Sequence, residues 1–230
     1  MTKSDRKVRI VFVPVYKSYS DPLVLHYLHY FKDLELGFTF GNYEDSPKIG
    51  FVDRLLKRIG TILIRRDPKN SLSSATSKRI DLDTMNFVNQ SLFQEVMEHN
   101  VITTLFQNDE RLRSGKYNLP LTADSSIKLL LKSHTNLQKL KLDIKVVPVC
   151  INYDRIFEAS YLANEMISGK FSNLNLYELM KNIYSMRKGK LGKIFVKYAE
   201  PIDLRDYVSS SKEKSLEGIA LNLTRDLYNI

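Results

Sequence analysis

Val8–Val15 reads VRIVFVPV, and the six residues that follow, Tyr16–Asp21, read YKSYSD before Pro22. The first stretch is β-branched and almost continuously apolar, as in a strand buried on both faces of a parallel sheet. Asp21-Pro22 then opens a helix, because aspartate at the N-cap and proline in the first turn are favoured there. A buried strand, a polar turn and a capped helix make the first half of a βαβ unit.

The same alternation continues along the chain. Ser46-Pro47 repeats the helix-opening device before Ile49, Val52, Leu55, Leu56 and Ile59, which share one helical face. Gly60 ends that helix, and Thr61–Ile64 reads as a short strand. Asp67–Asp83 is polar, serine-rich and without period, so a loop is predicted. Met85, Val88, Leu92 and Val96 predict a helix, Val101–Phe106 a strand, and Ala123–Leu140 another helix. Ile144–Ile151 (IKVVPVCI) is a further strand, in which Pro148 sits awkwardly for a central position. Leu174–Met186 is predicted helical, Lys193–Ala199 extended, and Leu216–Tyr228 helical. Strands alternating with helices imply an α/β fold, a mainly parallel mixed sheet flanked by helices. With no repeat and no internal linker, residues 1–230 read as a single domain. The abrupt start of the apolar run suggests a fragment lacking an N-terminal extension.

Composition narrows the function classes. Of 230 residues, 43% are hydrophobic and 27% charged, enough for a packed core and unlike a disordered chain. No apolar run approaches the ~20 residues of a membrane-spanning helix. Met1–Val8 is polar and charged, unlike a secretory signal, so a cytosol-facing location is the default. The lone cysteine, Cys150, excludes an internal disulfide framework and a cysteine-rich zinc site. Lysine and arginine total 35 against 26 acidic residues, a net charge of +9 that favours an anionic partner.

Three polar segments follow predicted strands, where ligand sites of parallel α/β sheets gather. The first is Tyr16–Asp21: a lysine, two serines and an aspartate suited to binding phosphate or orienting a base. A polar turn with a helix cap explains it equally on spacing alone. The second is GTILIRR, Gly60–Arg66, whose adjacent guanidinium groups offer forked donors to phosphate; a solvated strand end is the alternative. The third is FQNDERLRSGK, Phe106–Lys116, with three cations, a serine and a glycine that suit an anion or simply a charged surface loop.

Taken together and in order, these segments resemble blocks of the glycerol-3-phosphate and dihydroxyacetone-phosphate acyltransferases, within the glycerolipid acyltransferase superfamily. YKSYSD is similar to the family's His-Arg-Ser-x-x-Asp. GTILIRR is similar to Gly-x-x-x-Ile-Arg-Arg. FQNDERLRSGK resembles Phe-x-Glu-Gly-x-Arg-Ser-Arg followed by Ser/Thr and Gly, keeping Phe106, Arg111, Arg113, Ser114 and Gly115. VVPVCINYDRIFE resembles Val-Pro-Val-x-Ile-x-Tyr-Asp/Glu, and GKIFVKYAEPIDLRDYV the family's late strand and proline-containing turn. The resemblance runs from about Ile10 to Val208, more specific than any single block.

It implies acyl transfer from acyl-CoA, as co-substrate, to the hydroxyl of glycerol-3-phosphate or dihydroxyacetone phosphate, with no cofactor and no metal. The acceptor phosphate would be held by Lys17, Ser18, Arg65, Asn108, Arg111, Arg113 and Ser114. The catalytic positions are Tyr16 and Asp21, and here the chain departs from the family. The first-block histidine takes the hydroxyl proton, and the aspartate five positions on orients it. Asp21 is kept, but Tyr16 replaces the histidine. With a reference pKa near 10, tyrosine is only about 0.1% ionised at pH 7, although Lys17 and Arg65 would favour its ionised form. The third block also carries Asn108 and Asp109 in place of glutamate and glycine.

No histidine restores the motif. His26 and His29 lie on the helix after the block and are expected at its partly polar edge, while His99 and His134 are expected exposed. Cys150, inside an apolar strand, reads as a core thiol rather than an acyl acceptor. Tyr153-Asp154 lines the pocket in the family, and a strand-ending turn explains it as well. The expectation is an acyltransferase-like domain peripherally attached to the cytoplasmic face of a membrane. The alternative is a catalytically inactive relative that binds phosphorylated lipid precursors, membrane or a partner. Nucleic acid is not expected as a partner, since zinc-finger spacing and paired stacking aromatics are absent.

Overall fold

The structure, a computed structural model, describes residues 7–15, 18, 20–42, 54, 57–58, 60–64, 82–99, 101–106, 126–156, 159, 163, 167 and 192–228. In chain order the elements are β1 (Lys7–Pro14), α1 (Asp21–Phe31), β2 (Phe38–Asn42), β3 (Thr61–Ile64), α2 (Leu82–Glu98), β4 (Thr103–Leu105), α3 (Ser126–Lys139), β5 (Leu142–Tyr153), β6 (Ile194–Tyr198), β7 (Ile202–Asp203), α4 (Leu204–Ser210) and α5 (Leu216–Tyr228). The strands form one sheet in the order β3-β2-β4-β1-β5-β6, with β7 also pairing with β5. β1 to β5 run parallel, and β6 and β7 are antiparallel to β5. The chain has the α/β fold expected of it, a parallel-dominated sheet flanked by helices.

β1 lies inside the sheet, paired with β4 on one side and with β5 along its whole length on the other. Its side chains divide between two cores. Val11 and Val13 join Phe93, Met97, Ile127, Leu130, Ile144, Val146, Leu223 and Leu227 beneath α2, α3 and α5. Phe12 joins Leu25 of α1 with Phe106, Val147, Val149 and Ile151 on the opposite face. Helices on both faces are why β1 carries apolar residues without alternation. Arg9 is buried because its guanidinium donates to the carbonyls of Met97 (2.5 Å) and Glu98 (3.2 Å), closing the α2 C-terminus, which has no basic residue of its own in its last turn.

Pro148 sits inside β5 without costing a ladder bond. Its carbonyl accepts from Ala199 N–H (3.0 Å) while the carbonyl of Val149 accepts from Val15 N–H (3.4 Å), so successive groups point to opposite neighbours. The proline nitrogen therefore faces the break between β6 and β7, where no donor is required.

β2, β7 and α4 were not expected from the sequence. β2 is introduced by Gly37, which lies so close to the neighbouring chain that a Cβ there would stand 1.8 Å from the Ile102 carbonyl oxygen. Gly60, with φ +86°, makes the left-handed turn into β3. The helix predicted before it is described at Arg54, Lys57 and Arg58, which are helical. The helix expected at Leu174–Met186 lies outside the described residues, as does nearly all of the loop at Asp67–Asp83, whose end is already the first turn of α2.

Two histidines differ from expectation. His134 was expected exposed, and it is buried on the inner face of α3, its Nε2 3.1 Å from Gln138 Nε2. His29 was expected at a polar edge, and it is buried with its ring centroid 4.8 Å from that of Phe12. Neither side chain is excluded from a core by polarity, because a neutral imidazole packs as a flat, weakly polar ring. Burial holds both below the usual histidine range; His26 adds to this at His29, and Asp143 and Asp203 oppose it at His134. The unfolded chain takes up these protons near pH 6.5, the folded chain only at lower pH. Stability from the neutral rings is therefore full above about pH 6.5 and is lost as pH falls through the depressed folded values. Urea midpoints should drop between pH 7.5 and pH 5, and the double variant His29→Leu, His134→Leu should flatten that drop. An unchanged slope in the double variant would assign the acid sensitivity to other groups.

Candidate functional site

The carboxyl ends of β1 to β5 lie along one edge of the sheet, since all five strands run in the same direction. The chain leaves β1 toward β2 and β3 and later returns through β4 to place β5 on the other side of β1. That reversal of direction makes the carboxyl end of β1 a topological switch point, the place where open α/β sheets bind ligands.

The turn from β1 into α1 is built around Ser18, which is fully buried. Its carbonyl accepts from Asp21 N–H (3.0 Å), and its hydroxyl accepts from Ser20 N–H (3.1 Å). Its own N–H donates to Asp21 Oδ2 (2.9 Å). Asp21 was expected to cap α1, but the cap position is Ser20, with no side-chain cap bond, and Asp21 is the first residue of the helix. Its carboxylate turns instead toward β5, where Tyr153 Oη donates to Oδ1 at 2.5 Å. Asp21 is wholly removed from solvent. A buried carboxylate without donors costs several kcal/mol, and two donors on different oxygens offset much of that cost.

Tyr153 ends β5 and is itself held. It pairs in register with Ile194 of β6, and the next residue, Asp154, donates its N–H to the Lys193 carbonyl (3.0 Å) while accepting from Lys193 N–H (2.8 Å). Sequence reading placed Tyr153 at a strand end and left its role open. The contact joins residues 132 apart, so no local pattern reveals it.

Of the residues assigned from sequence to catalysis or to the acceptor, Ser18 and Asp21 are the two that are described. Tyr16, Lys17, Arg65, Asn108, Asp109, Arg111, Arg113 and Ser114 lie outside the described residues. The strands before them are in place: Arg65 directly follows β3, and the Asn108–Ser114 segment follows β4 and Phe106. β4 adjoins β1, whereas β3 stands three strand spacings away, about 14 Å. Cys150 is partly buried rather than in the core, and it alternates with Tyr153 to the opposite face of β5. His99 is exposed as expected and pairs with Glu95 one turn earlier. Among the described residues no three His, Cys, Asp or Glu side chains gather where a metal could be held, and no helix is long and apolar enough to cross a membrane.

Comparison with known proteins bears out the resemblance read from the motifs. No family model matches the chain. It is 24% identical over 212 residues to glycerol-3-phosphate acyltransferase 1, mitochondrial, of Rattus norvegicus, covering 92% of this chain and 24% of that protein. The protein of the same name from Homo sapiens is 24% identical over 217 residues, covering 94% of this chain and 25% of the relative. A glycerol-3-phosphate acyltransferase of Haemophilus influenzae is 26% identical over 203 residues, covering 87% and 22%. The chain thus spans about a quarter of the length of the curated relatives it matches.

Proposed function

We propose, from the alignment with glycerol-3-phosphate acyltransferases over roughly nine tenths of the chain, that these residues form the acyl-transfer segment of a glycerolipid-synthesis protein. The acceptor hydroxyl of glycerol-3-phosphate or dihydroxyacetone phosphate attacks the acyl-CoA thioester carbonyl, its proton passes to a base, and the CoA thiolate leaves. The observation that carries this reading is Asp21. It is a buried carboxylate at the carboxyl end of a central parallel strand, it makes no helix cap, and its position matches the aspartate of the family's first block. Such a carboxylate holds a neighbouring base in orientation and stabilises it once protonated.

Arg65, Arg111 and Arg113, with Lys17, Ser18, Asn108 and Ser114, are assigned to the acceptor phosphate. Ser18 would serve through the turn it builds, since its hydroxyl is engaged with Ser20. Arg65→Ala and Arg113→Ala should each weaken glycerol-3-phosphate binding by about 1.5–3 kcal/mol, the usual worth of a charge-assisted hydrogen bond. Calorimetry with unchanged affinity in both variants would reject the phosphate site.

A second reading rests on Tyr16. With tyrosine at the base position, the chain binds acyl-CoA and a phosphorylated acceptor, or a membrane or partner, without efficient turnover. Thiol release from palmitoyl-CoA in the presence of glycerol-3-phosphate separates the two. Association with a membrane, on either reading, is peripheral and electrostatic, in keeping with the net charge of +9.

A further inference from the structure

We infer that Tyr153 is a positioning residue that fixes the Asp21 carboxylate for the base, an inference that rests on the acyl-transfer reading. Ser18 and Tyr153, both among the described residues, donate to Asp21, and they differ in kind. Ser18 N–H belongs to the same turn, so it moves with Asp21 and fixes only the local bend. Tyr153 reaches Oδ1 from β5, which is joined to β1 in continuous register from Lys7↔Leu142 to Pro14↔Val149. Tyr153 therefore sets the carboxylate relative to the sheet, while Ser18 sets it relative to its own turn.

The anchoring is rigid at the far end. Tyr153 pairs with Ile194, and the Asp154–Lys193 pair of bonds closes the β5–β6 junction immediately beyond it. Sites that work by orientation need such support, because a group held on one side only samples several rotamers. With Oδ1 bound by a phenol and Oδ2 by a backbone amide, the carboxylate plane is set by two non-collinear bonds. The carboxylate offered to the base then has one orientation.

A purely mechanical tie between β5 and α1 is the competing explanation, and three measurements separate the two. First, proteins carrying carboxyl-13C aspartate are compared by NMR at neutral pH, with the Asp21 resonance identified by its loss in Asp21→Asn. Tyr153→Phe should move that resonance while leaving the other aspartates in place. Should Tyr153→Phe fail to fold, the reciprocal measurement serves: the ring 13C signal of Tyr153 should move in Asp21→Asn. Second, turnover is measured in whichever of the unmodified chain and Tyr16→His releases thiol. Tyr153→Phe should lower kcat about tenfold, the loss of one charge-assisted hydrogen bond, with KM for both substrates within about twofold. Third, urea unfolding reports stability.

A shifted resonance with the kcat loss supports the assignment. An unmoved resonance overturns it, whatever the activity. Lower stability with unchanged kcat and KM also overturns it and leaves a mechanical tie. Absence of thiol release in both backgrounds, with the resonance shifted, rejects the acyl-transfer reading, and with it the purpose assigned to the held carboxylate.

Discussion

Tyr16→His should raise thiol release from palmitoyl-CoA, with glycerol-3-phosphate or dihydroxyacetone phosphate as acceptor, by about 10²–10⁴-fold, the usual contribution of a positioned general base. Half of the required pair is already built. Asp21 is buried, is not spent on capping α1, and accepts from Ser18 and Tyr153 on separate oxygens. A histidine at position 16 supplies a base that is largely neutral at pH 7, whereas the tyrosine there is on the order of 0.1% ionised without perturbation. The gain should sit toward the lower end of the range, because Asn108 and Asp109 still depart from the family's third block and, on the acyl-transfer reading proposed above, Asp109 would add a negative charge to the segment assigned to the acceptor phosphate. The triple variant Tyr16→His, Asn108→Glu, Asp109→Gly should exceed any of its parts. Robust turnover by the unmodified chain, abolished by Tyr16→Phe, would make Tyr16 the working base and overturn this account.

The largest effect on stability is expected at Gly37. A methyl group there would stand 1.8 Å from the oxygen and 2.5 Å from the carbon of the Ile102 carbonyl, and both are backbone atoms that cannot rotate away. The same carbonyl accepts from Phe38 N–H at 2.9 Å, so relief requires displacing the start of β2 from the segment leading into β4. Gly37→Ala should cost about 3 kcal/mol or more, above the common run of single substitutions. A urea-unfolding loss below about 1 kcal/mol would mean that the two segments separate easily.

The elements legible in the sequence are those whose burial pattern is self-contained. β1, β3 and β5 announce themselves by β-branched apolar runs, and α3 and α5 by apolar residues at helical spacing, because each buries enough side chain to leave its period in the sequence. β2 does not. FTFGN is short, contains a glycine and follows another, and glycines usually mark turns; Gly37 is present instead because a neighbouring carbonyl leaves no room for a side chain. β7 and α4 are too short to carry a period, although the Asp203 side chain, accepting from the N–H groups of Arg205 and Asp206, is an ordinary helix-opening signal. The same limit applies to the site. Asp21 was legible by its motif position, but its expected use as a cap was wrong, because a carboxylate at the first helical residue can turn either to its own backbone or to a tyrosine brought from β5. His134 shows a related limit: the polarity of a side chain does not reveal which face of an amphipathic helix it occupies once the ring is neutral.

The pairing of β1 also governs the order in which the protein is made. Pro14 is matched with Val149, a sequence separation of 149 − 14 = 135. At a synthesis rate of about 5–20 residues per second, roughly 7–27 s pass before β5 can reach β1. For most of that interval VRIVFVPV lacks its longest partner, since α3 is completed only shortly before β5 and α5 later still, so neither yet covers the Val11 and Val13 side chains. β4 arrives sooner but meets β1 at only two described positions, Val11↔Thr103 and Phe12↔Thr104. An almost continuously apolar strand is thus made well before the elements that enclose it, and stays exposed on the growing chain until they arrive.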